Sequence, residues 1–326
     1  SAWHGVDYAV ACNSGSSANL LAIAALVETG RISRGHVAAV PALAWSTTYA
    51  PVVQYGLDLA LCDADATWNA WAVPSEVDLV VACPILGNPA HIEATVATAM
   101  ARGIPTLVDC CESIGAATSD SVHIGSMGTV NTFSFYYSHQ LSAVEGGMIL
   151  TNDADIARAC KMLRSHGWTR GLRMVQDFSD EYRFEMFGYN LRPVELHSAI
   201  AREQLRKLAL RVAERRVNYS YWVNASVDLP IQRPELHGYA SPFCLNFCVK
   251  DSEERQKLAN ALRANGIDCR PPIAGSFRLQ PYGRRWASQQ TPVADEIHRT
   301  GLAIGCPPFD GRHLIDMAVK VMREVL

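Results

Sequence analysis

Short apolar runs alternate with amphipathic segments along the first half of this chain. The runs are bounded by turn residues and are too short for buried helices, which is typical of strands inside a sheet. Two amphipathic segments stop at a glycine, as helices commonly do. This alternation predicts an α/β fold. The predicted strands are 6–12, 37–41, 57–62, 78–83, 104–108, 132–136 and 148–151, and the predicted helices are 16–28, 46–55, 91–102 and 153–165.

The pattern changes after residue 190 and predicts a second, smaller unit. Pro193 is expected in the first turn of a long helix ending near Asn218, since that turn does not use the missing N–H. We expect a large domain over 1–218, including this helix, and a small C-terminal domain over 219–326. The later elements are predicted as a strand over 243–249, a helix capped by Asp251 or Ser252 and ended by Gly266, a strand over 267–270 and two more helices.

The composition is that of an ordinary globular enzyme. The 326 residues are 49% hydrophobic and carry a net charge of −3, so no basic surface for nucleic acid or membrane is indicated. No apolar run approaches a bilayer span, and no signal-peptide pattern is seen, so we expect a cytoplasmic protein. The ten cysteines are too scattered for a disulfide scaffold, and several are expected in the core. Cys244 and Cys248 lack iron–sulfur spacing and the histidines form no zinc pattern, so no metal is predicted.

Two strand ends carry candidate chemistry. Gly15, Ser16 and Ser17 form a small-residue turn before a helix, where free N–H groups suit a phosphate, although such turns also serve simply as N-caps. Asp109 follows a buried strand, where a carboxylate needs a cation or donors nearby. Ligand crevices open at such strand ends. A solvated or helix-capping aspartate is the alternative for Asp109.

Two further residues are ambiguous when taken alone. Trp45 stands at the start of a helix, where a large aromatic is more often part of the core. His139 lies in the loop S-F-Y-Y-S-H-Q-L-S-A-V-E-G-G, which begins at Ser134 and ends at Gly147. A lone histidine near a glycine-rich loop is more often structural than catalytic.

Taken in order, these features resemble the DegT/StrS family of nucleotide-sugar aminotransferases. The family's pyridoxal phosphate (PLP) loop reads roughly S-F-x-x-x-K-x-x-x-x-x-E-G-G, and His139 stands at the lysine. Stretches 187–192 and 266–271 are similar to the family's G-Y-N-x-R and G-I-x-x-R-P. The resemblance implies PLP-dependent fold type I (aspartate aminotransferase-like), with a large mixed-sheet domain and a homodimer sharing its active sites. It begins near the first residue without the family's usual opening segment, so part of the substrate lid is expected to be missing.

The resemblance also implies roles for single residues. It implies that Asp109 meets the cofactor's pyridine nitrogen, which keeps the cofactor an electron sink. Glu112 stands where the family commonly has a glutamine that contacts the phenolic oxygen. The remaining implied contacts are the turn of Gly15, Ser16 and Ser17 and the Ser134 hydroxyl for the phosphate, Trp45 stacking on the ring, and Asn190 reaching the phosphate from the partner subunit.

Histidine at the lysine position resembles one branch of the family, the 3-dehydratases acting on GDP-4-keto-6-deoxymannose or its CDP-hexulose counterpart. Lysine would bind the cofactor covalently and steer it to transamination, whereas imidazole cannot. The branch implies a noncovalent cofactor in its amine form, pyridoxamine phosphate (PMP), which condenses with the sugar's C4 ketone. With an ordinary pKa of about 6.5, His139 suits taking a proton and then protonating the departing C3 hydroxyl. Glutamate is expected to regenerate the amine, in deoxysugar biosynthesis such as that for lipopolysaccharide O-antigen.

Two alternatives stay open on the sequence. One is a nucleotide-sugar aminotransferase that relies on exchange of free cofactor, and the other is a catalytically silent cofactor- or sugar-binding homologue. No displaced lysine restores the ordinary mechanism, because every lysine falls on a helix or strand end in the later half. These lysines are Lys161, Lys207, Lys250, Lys257 and Lys320.

Overall fold

A computed structural model of the chain describes residues 2–172 and 177–326. Seven strands form a large sheet in the order β1-β7-β6-β5-β4-β2-β3. The strands are β1 (Tyr8–Cys12), β2 (Val37–Pro41), β3 (Asp58–Cys62), β4 (Leu79–Ala82), β5 (Thr106–Asp109), β6 (Val130–Ser134) and β7 (Gly147–Thr151). The helices between and after them are α1 (Gly15–Glu28), α2 (Ser46–Gln54), α3 (Ile92–Ala101) and α4 (Ala154–Leu163).

The large sheet is mixed, and its direction decides where a site can form. Strands β2 to β6 pair in parallel, whereas β7 runs antiparallel to both β1 and β6. Parallel strands end at the same edge, and that edge is where open α/β sheets bind ligands. The last residues of β5 and β6, Asp109 and Ser134, therefore lie at this same edge, since Asp109 pairs with Thr132, two residues before Ser134.

Helix α1 is the centre of the larger core. Its sequence, GSSANLLAIAALVE, is apolar on nearly every side, so it is buried against the sheet rather than lying on the surface. Ser14 caps it, accepting a hydrogen bond from the Ser17 N–H at 3.1 Å. The start of α1 is thereby fixed at the sheet edge that holds Asp109.

Helix α5 (Glu195–Ala225) connects the large sheet to a smaller one. Two details of its prediction were wrong: Pro193 precedes the N-cap Val194 instead of lying in the first turn, and the helix ends at Ala225 instead of near Asn218. The extension follows from packing, since Trp222 is buried in the core of the smaller unit.

The small sheet is antiparallel in the order β8-β10-β9. Its central strand β10 was missed by the sequence analysis, which expected only helices after residue 270. This strand has three apolar residues between two glycines and directly follows a helix. It is too short for an alternation of apolar and polar residues to show in the sequence. The elements are β8 (Cys244–Cys248), α6 (Ser252–Ala264), β9 (Cys269–Arg270), α7 (Pro292–Thr300), β10 (Gly301–Gly305) and α8 (Arg312–Val325).

Among the described residues, no helix has both the length and the apolar character that crossing a bilayer requires.

Candidate active site

A cavity of about 360 Å³ opens at the carboxyl edge of the large sheet. It is bounded by the start of α1, the ends of β5 and β6, and residues of the small unit. The loop over 134–147 that carries His139, called the histidine loop below, also lines it. Seven of the nine residues predicted from the sequence line it: Gly15, Ser16, Trp45, Asp109, Glu112, Ser134 and His139.

Asp109 is buried and surrounded by hydrogen-bond donors. Its side chain is 3% exposed, so the alternative of a solvated aspartate is wrong. Its Oδ2 accepts from Asn19 Nδ2 at 2.8 Å and from Thr48 Oγ1 at 2.7 Å, and its Oδ1 accepts from the Cys111 N–H at 3.2 Å. Three donors thus fix the orientation of this buried carboxyl group, which lines the cavity.

Asn19 and Thr48 were missed by the sequence analysis. Asn19 is a lone amide on a helix that is otherwise apolar, and its Oδ1 accepts from Thr132 Oγ1 at 2.6 Å. A buried polar residue on an apolar helix needs partners. The single buried amide on this apolar helix was therefore the sequence signal that could have identified Asn19. Its side chain donates to Asp109.

The turn before α1 lies against the end of β6. A Cβ on Gly15 would stand 2.5 Å from the Cβ of Ser134, so only glycine allows this approach. The first four N–H groups of a helix lack intrahelical partners. Ser17 N–H donates to Ser14 Oγ, whereas among the described residues the N–H groups of Gly15 and Ser16 have no partner. The glycine therefore brings two free N–H donors close to the Ser134 hydroxyl at the cavity wall, an arrangement that suits an anion.

The last glycine in the Glu-Gly-Gly end of the histidine loop is required for steric reasons. Gly147 opens β7, and a Cβ there would stand 2.1 Å from the carbonyl oxygen of Ser14. The loop is closed at its base, where the Phe135 N–H donates to the Gly146 carbonyl at 2.9 Å. These contacts hold the loop against the same turn that caps α1.

His139 faces the cavity with a largely buried imidazole. Its Nδ1 is buried and has no hydrogen-bond partner among the described residues. Burial lowers the pKa of His139 from 6.5 to about 4, Asp109 opposes that change, and the positive charge of Arg215 adds to it. The imidazole is therefore neutral at pH 7 and able to accept a proton.

Glu112 has the opposite environment from Asp109. Its Oε2 accepts one long hydrogen bond, from the Leu86 N–H at 3.3 Å. Burial raises the pKa of Glu112 from 4.5 to about 8, the Leu86 N–H lowers it, and the negative charge of Asp109 raises it further. Glu112 is therefore a protonated carboxylic acid at pH 7, which can donate a hydrogen bond as a glutamine amide does.

The other predicted residues divide between the cavity wall and its surroundings. Trp45 is 57% exposed at the mouth of the cavity, so the alternative of a core residue is wrong. Ser17 stays outside the cavity lining, and its N–H is used by the cap. Asn190 is exposed and also lies outside the lining. A role for Asn190 would need a second subunit.

All five lysines lie in the described part of the chain, and none of them lines the cavity. Within the same part, no group of three or more His, Cys, Asp or Glu side chains is arranged to hold a metal ion. The cavity thus offers a neutral imidazole, a donor-bound carboxylate and a protonated carboxylic acid, without a side-chain amine.

A sequence profile of the DegT/DnrJ/EryC1/StrS aminotransferase family matches residues 1–316. The chain belongs to this family. Among its relatives, GDP-4-keto-6-deoxy-D-mannose 3-dehydratase from Escherichia coli O55:H7 (strain CB9615 / EPEC) is 35% identical over 349 residues, which cover 99% of this chain and 88% of the relative.

Two solved structures have closely similar folds. E. coli GDP-4-keto-6-deoxy-D-mannose-3-dehydratase with bound hydrated PLP gives a TM-score of 0.91 at 33% identity, covering 98% of this chain and 88% of that one. GDP-4-keto-6-deoxymannose-3-dehydratase with a trapped PLP-glutamate geminal diamine gives a TM-score of 0.91 at 33% identity, with 98% and 89% covered. These findings confirm the predicted family and the predicted PLP-dependent aminotransferase fold.

Proposed function

We propose that this chain is a PLP/PMP-dependent 3-dehydratase, which removes the C3 hydroxyl of a nucleotide-linked 4-keto-6-deoxyhexose. One observation carries the proposal: His139 faces the cavity beside Asp109, and none of the described lysines reaches that cavity. A cofactor held there would be bound without a covalent anchor. The names of the relatives support the substrate class, a GDP-linked keto sugar, and glutamate as the amino donor.

The residues present fit such a cofactor. The N–H groups of Gly15 and Ser16 and the Ser134 hydroxyl would hold its phosphate, at the approach that a Cβ on Gly15 would fill. The Asp109 carboxyl group, which lines the cavity, would meet the protonated ring nitrogen, and the exposed indole of Trp45 would stack on the ring. When bound, the group supplies an amine that condenses with the sugar ketone and a ring that accepts electrons.

His139 would move the protons of the reaction. A neutral imidazole can remove a proton at pH 7, and the resulting imidazolium can then protonate the departing C3 hydroxyl. Because burial lowers the pKa of His139 to about 4, the imidazolium is a stronger acid than an ordinary one and readily returns its proton, and the neutral imidazole is correspondingly a weaker base. The single residue would thus serve first as base and then as acid.

Glu112 would act through the proton that it keeps. The family commonly has glutamine at this position, and a protonated carboxyl offers the same donor to the cofactor's phenolic oxygen. With a pKa of about 8, Glu112 retains that proton at pH 7. The change from glutamine to glutamate would therefore conserve the contact and add a dependence on pH.

The test is incubation of the protein with PMP, glutamate and a nucleotide-linked 4-keto-6-deoxy sugar. The expected result is a 3-deoxy sugar, with one 2-oxoglutarate and one ammonia per turnover. A 4-amino product would instead establish the aminotransferase alternative, and no product with retained sugar binding would establish the silent homologue. His139→Asn is the matched variant, in which the dehydration should be lost while PMP still binds. Borohydride reduction followed by peptide mass analysis should find no cofactor bound to any lysine, and such an adduct would contradict the proposal.

We also propose a homodimer with shared active sites. Asn190 is exposed, and beside it Phe187 is fully exposed, at 100%, as expected of surfaces that a second subunit would cover. Asn190 would then complete the phosphate site of the partner. Mixing inactive Asn190→Ala and His139→Asn subunits should restore activity if residues cross between subunits, and no restoration would argue for independent sites.

Two further expectations are proposed on separate grounds. We propose a domain boundary near residue 218, which is supported by α5: Leu208 and Val212 pack in the larger unit, and Tyr219 and Trp222 pack in the smaller one. We propose a cytoplasmic location, because the ten cysteines, all in the described part of the chain, are free thiols.

A further inference from the structure

Arg215 in α5 is a buried cation, and no carboxylate in the described part of the chain pairs with it. It is 7% exposed, and among the described residues its guanidinium binds only carbonyl oxygens. Its Nη1 donates to the carbonyls of Pro242 at 3.3 Å and Phe243 at 2.8 Å, while its Nε is buried without a partner. Burying an unpaired charge is unfavourable, and leucine or methionine could fill a similar space at lower cost. Packing alone therefore does not account for this arginine.

The segment that Arg215 binds is held from two other sides. Ser241 N–H donates to the Gly87 carbonyl at 2.8 Å, and Phe243 N–H donates to the Leu86 carbonyl at 3.1 Å. From the histidine loop, Gln140 Nε2 donates to the Ser241 carbonyl at 2.9 Å. A Cβ on Gly87 would stand 1.7 Å from that same carbonyl oxygen, so the fit is tight. Arg215 holds the segment 241–243 from a third side. These three sets of contacts to 241–243 are called the clamp below.

The clamp ends at the proposed base. The ring of Phe243 lies 5.3 Å from the imidazole of His139, centroid to centroid, within the range of packed aromatic rings. Because no described residue bonds to the buried Nδ1 of His139, ring packing and not a hydrogen bond sets the orientation there. Tyr136, at 6.0 Å, is the other ring beside it. The position of Phe243 therefore decides how the imidazole faces the cavity.

Arg215 also acts on His139 through its charge. A positive charge nearby disfavours the imidazolium and adds to the effect of burial. Asp109, at the end of β5, favours the imidazolium. The other ionisable groups that line the cavity are Glu112, Glu145, Arg270, Tyr136, Cys83 and Cys111.

We propose that Arg215 is a positioning residue for His139, acting through the main chain of Pro242 and Phe243 and through its own charge. This rests on the proposed function, in which His139 carries the protons. Arg215 touches neither substrate nor cofactor in this scheme. Its effect is on the orientation and the protonation of the imidazole.

The test follows the His139 imidazole by NMR titration of the full chain, with and without PMP, using His139→Asn to assign the signal. In Arg215→Gln the midpoint should rise by about half a pH unit or more, because a nearby positive charge is lost. In Arg215→Lys, which keeps the charge, the midpoint should stay near that of the wild type. Arg233→Gln is the matched control, since Arg233 is also partly buried, bonds to the Ser226 carbonyl and packs over Trp222.

Turnover is the second readout. In Arg215→Gln, kcat should fall about tenfold or more, since misplacing a catalytic group is costly. The KM for the nucleotide sugar should change by no more than about twofold, because no substrate contact is removed. A folded Arg215→Gln protein with the wild-type titration and kcat would overturn the proposal.

Phe243→Leu covers the case in which Arg215 variants do not fold. It keeps every main-chain bond of the clamp but removes the ring, so the His139 signal and kcat should both change. Unchanged values in this variant would also overturn the proposal. If even the wild type forms no 3-deoxy product, the proposed function fails, while the titrations still decide the coupling between Arg215 and His139.

Discussion

Replacing Glu112 with glutamine should remove a pH dependence from the stability of the protein. The pKa of this carboxyl is raised from 4.5 to about 8, chiefly by burial. Below pH 4.5 the group is protonated in both folded and unfolded chains and has no effect on the pH slope. Between 4.5 and 8 the unfolded chain releases the proton and the folded chain keeps it, so stability falls as pH rises. Glutamine does not titrate and abolishes this slope.

The size of the stability change follows from the pH range over which the folded and unfolded chains differ in the protonation of Glu112. Each pH unit is worth about 1.4 kcal/mol per group. Buried histidines such as His139 and His4, with pKa values lowered to about 4 and about 3, give the opposite slope up to about pH 7.5, where an unfolded imidazole has lost nearly all of its proton. Their contribution is the same in wild type and Glu112→Gln, so it cancels from the difference between the two proteins. Between pH 6.5 and 8, Glu112 should lower the unfolding free energy of the wild type by about 2 kcal/mol. Glu112→Gln should not show this decrease, because glutamine has no proton to release.

The assay is urea unfolding of cofactor-free protein, followed by circular dichroism at pH 6.5, 7, 7.5 and 8. The difference between wild type and Glu112→Gln should grow steadily across the series. Glu203→Gln is the matched control, because that carboxylate is 62% exposed in its surface pair with Arg206 and should leave the slope unchanged. Parallel pH profiles for wild type and Glu112→Gln would refute the assignment of a buried, protonated Glu112.

Three further substitutions test the rest of the site. Asp109→Asn should raise the dissociation constant of PMP, measured by calorimetry, about tenfold or more, because an amide nitrogen would meet the donors around Asp109; unchanged affinity would contradict the ring-nitrogen contact. Gly15→Ala should lower the unfolding free energy by about 1–3 kcal/mol, as its Cβ meets Ser134 at 2.5 Å, whereas Gly305→Ala, with open space around it, should change it by less than about 0.5 kcal/mol; equal effects would argue against the close approach. Trp45→Leu should weaken PMP binding by about 0.5–1.5 kcal/mol without loss of stability, since the indole is 57% exposed, and a large loss of stability would contradict a stacking role.

The sequence predicts the larger unit well because its strands and helices have clear local signals. Strand β2, for example, was predicted with the bounds that the structure gives it. The prediction fails where packing overrides local preference. Helix α5 continues past residue 218 because Trp222 is buried, and β10 forms because it pairs with β8 along its whole length and with β9 at Ala303 and Ile304. The local sequence at the end of α5 or along β10 does not show which distant residues these segments pack against.

The candidate site divides in the same way. Motif residues such as Asp109 and His139 could be found because their order along the chain resembles a known family. Residues that act on them, including Thr48 and Arg215, carry no motif and come from distant segments. Their roles depend on contacts such as the 2.7 Å bond to Asp109, which only the fold creates. Sequence alone therefore names the candidate groups of the site but not the contacts that surround them.

Protonation is where the structure changes the chemical picture. Asp109 and Glu112 are three residues apart at one cavity, yet three donors surround the first and a single long bond reaches the second. Burial with so few donors raises the pKa of Glu112 to about 8, so that this carboxyl group keeps its proton at pH 7. His139, deprived of a partner for Nδ1, stays neutral between them. A noncovalent cofactor needs this arrangement more than an anchored one does. In the proposed function, the ring would be held without a lysine by the Asp109 carboxyl group and by donors such as Glu112, and His139 would stay free to move protons.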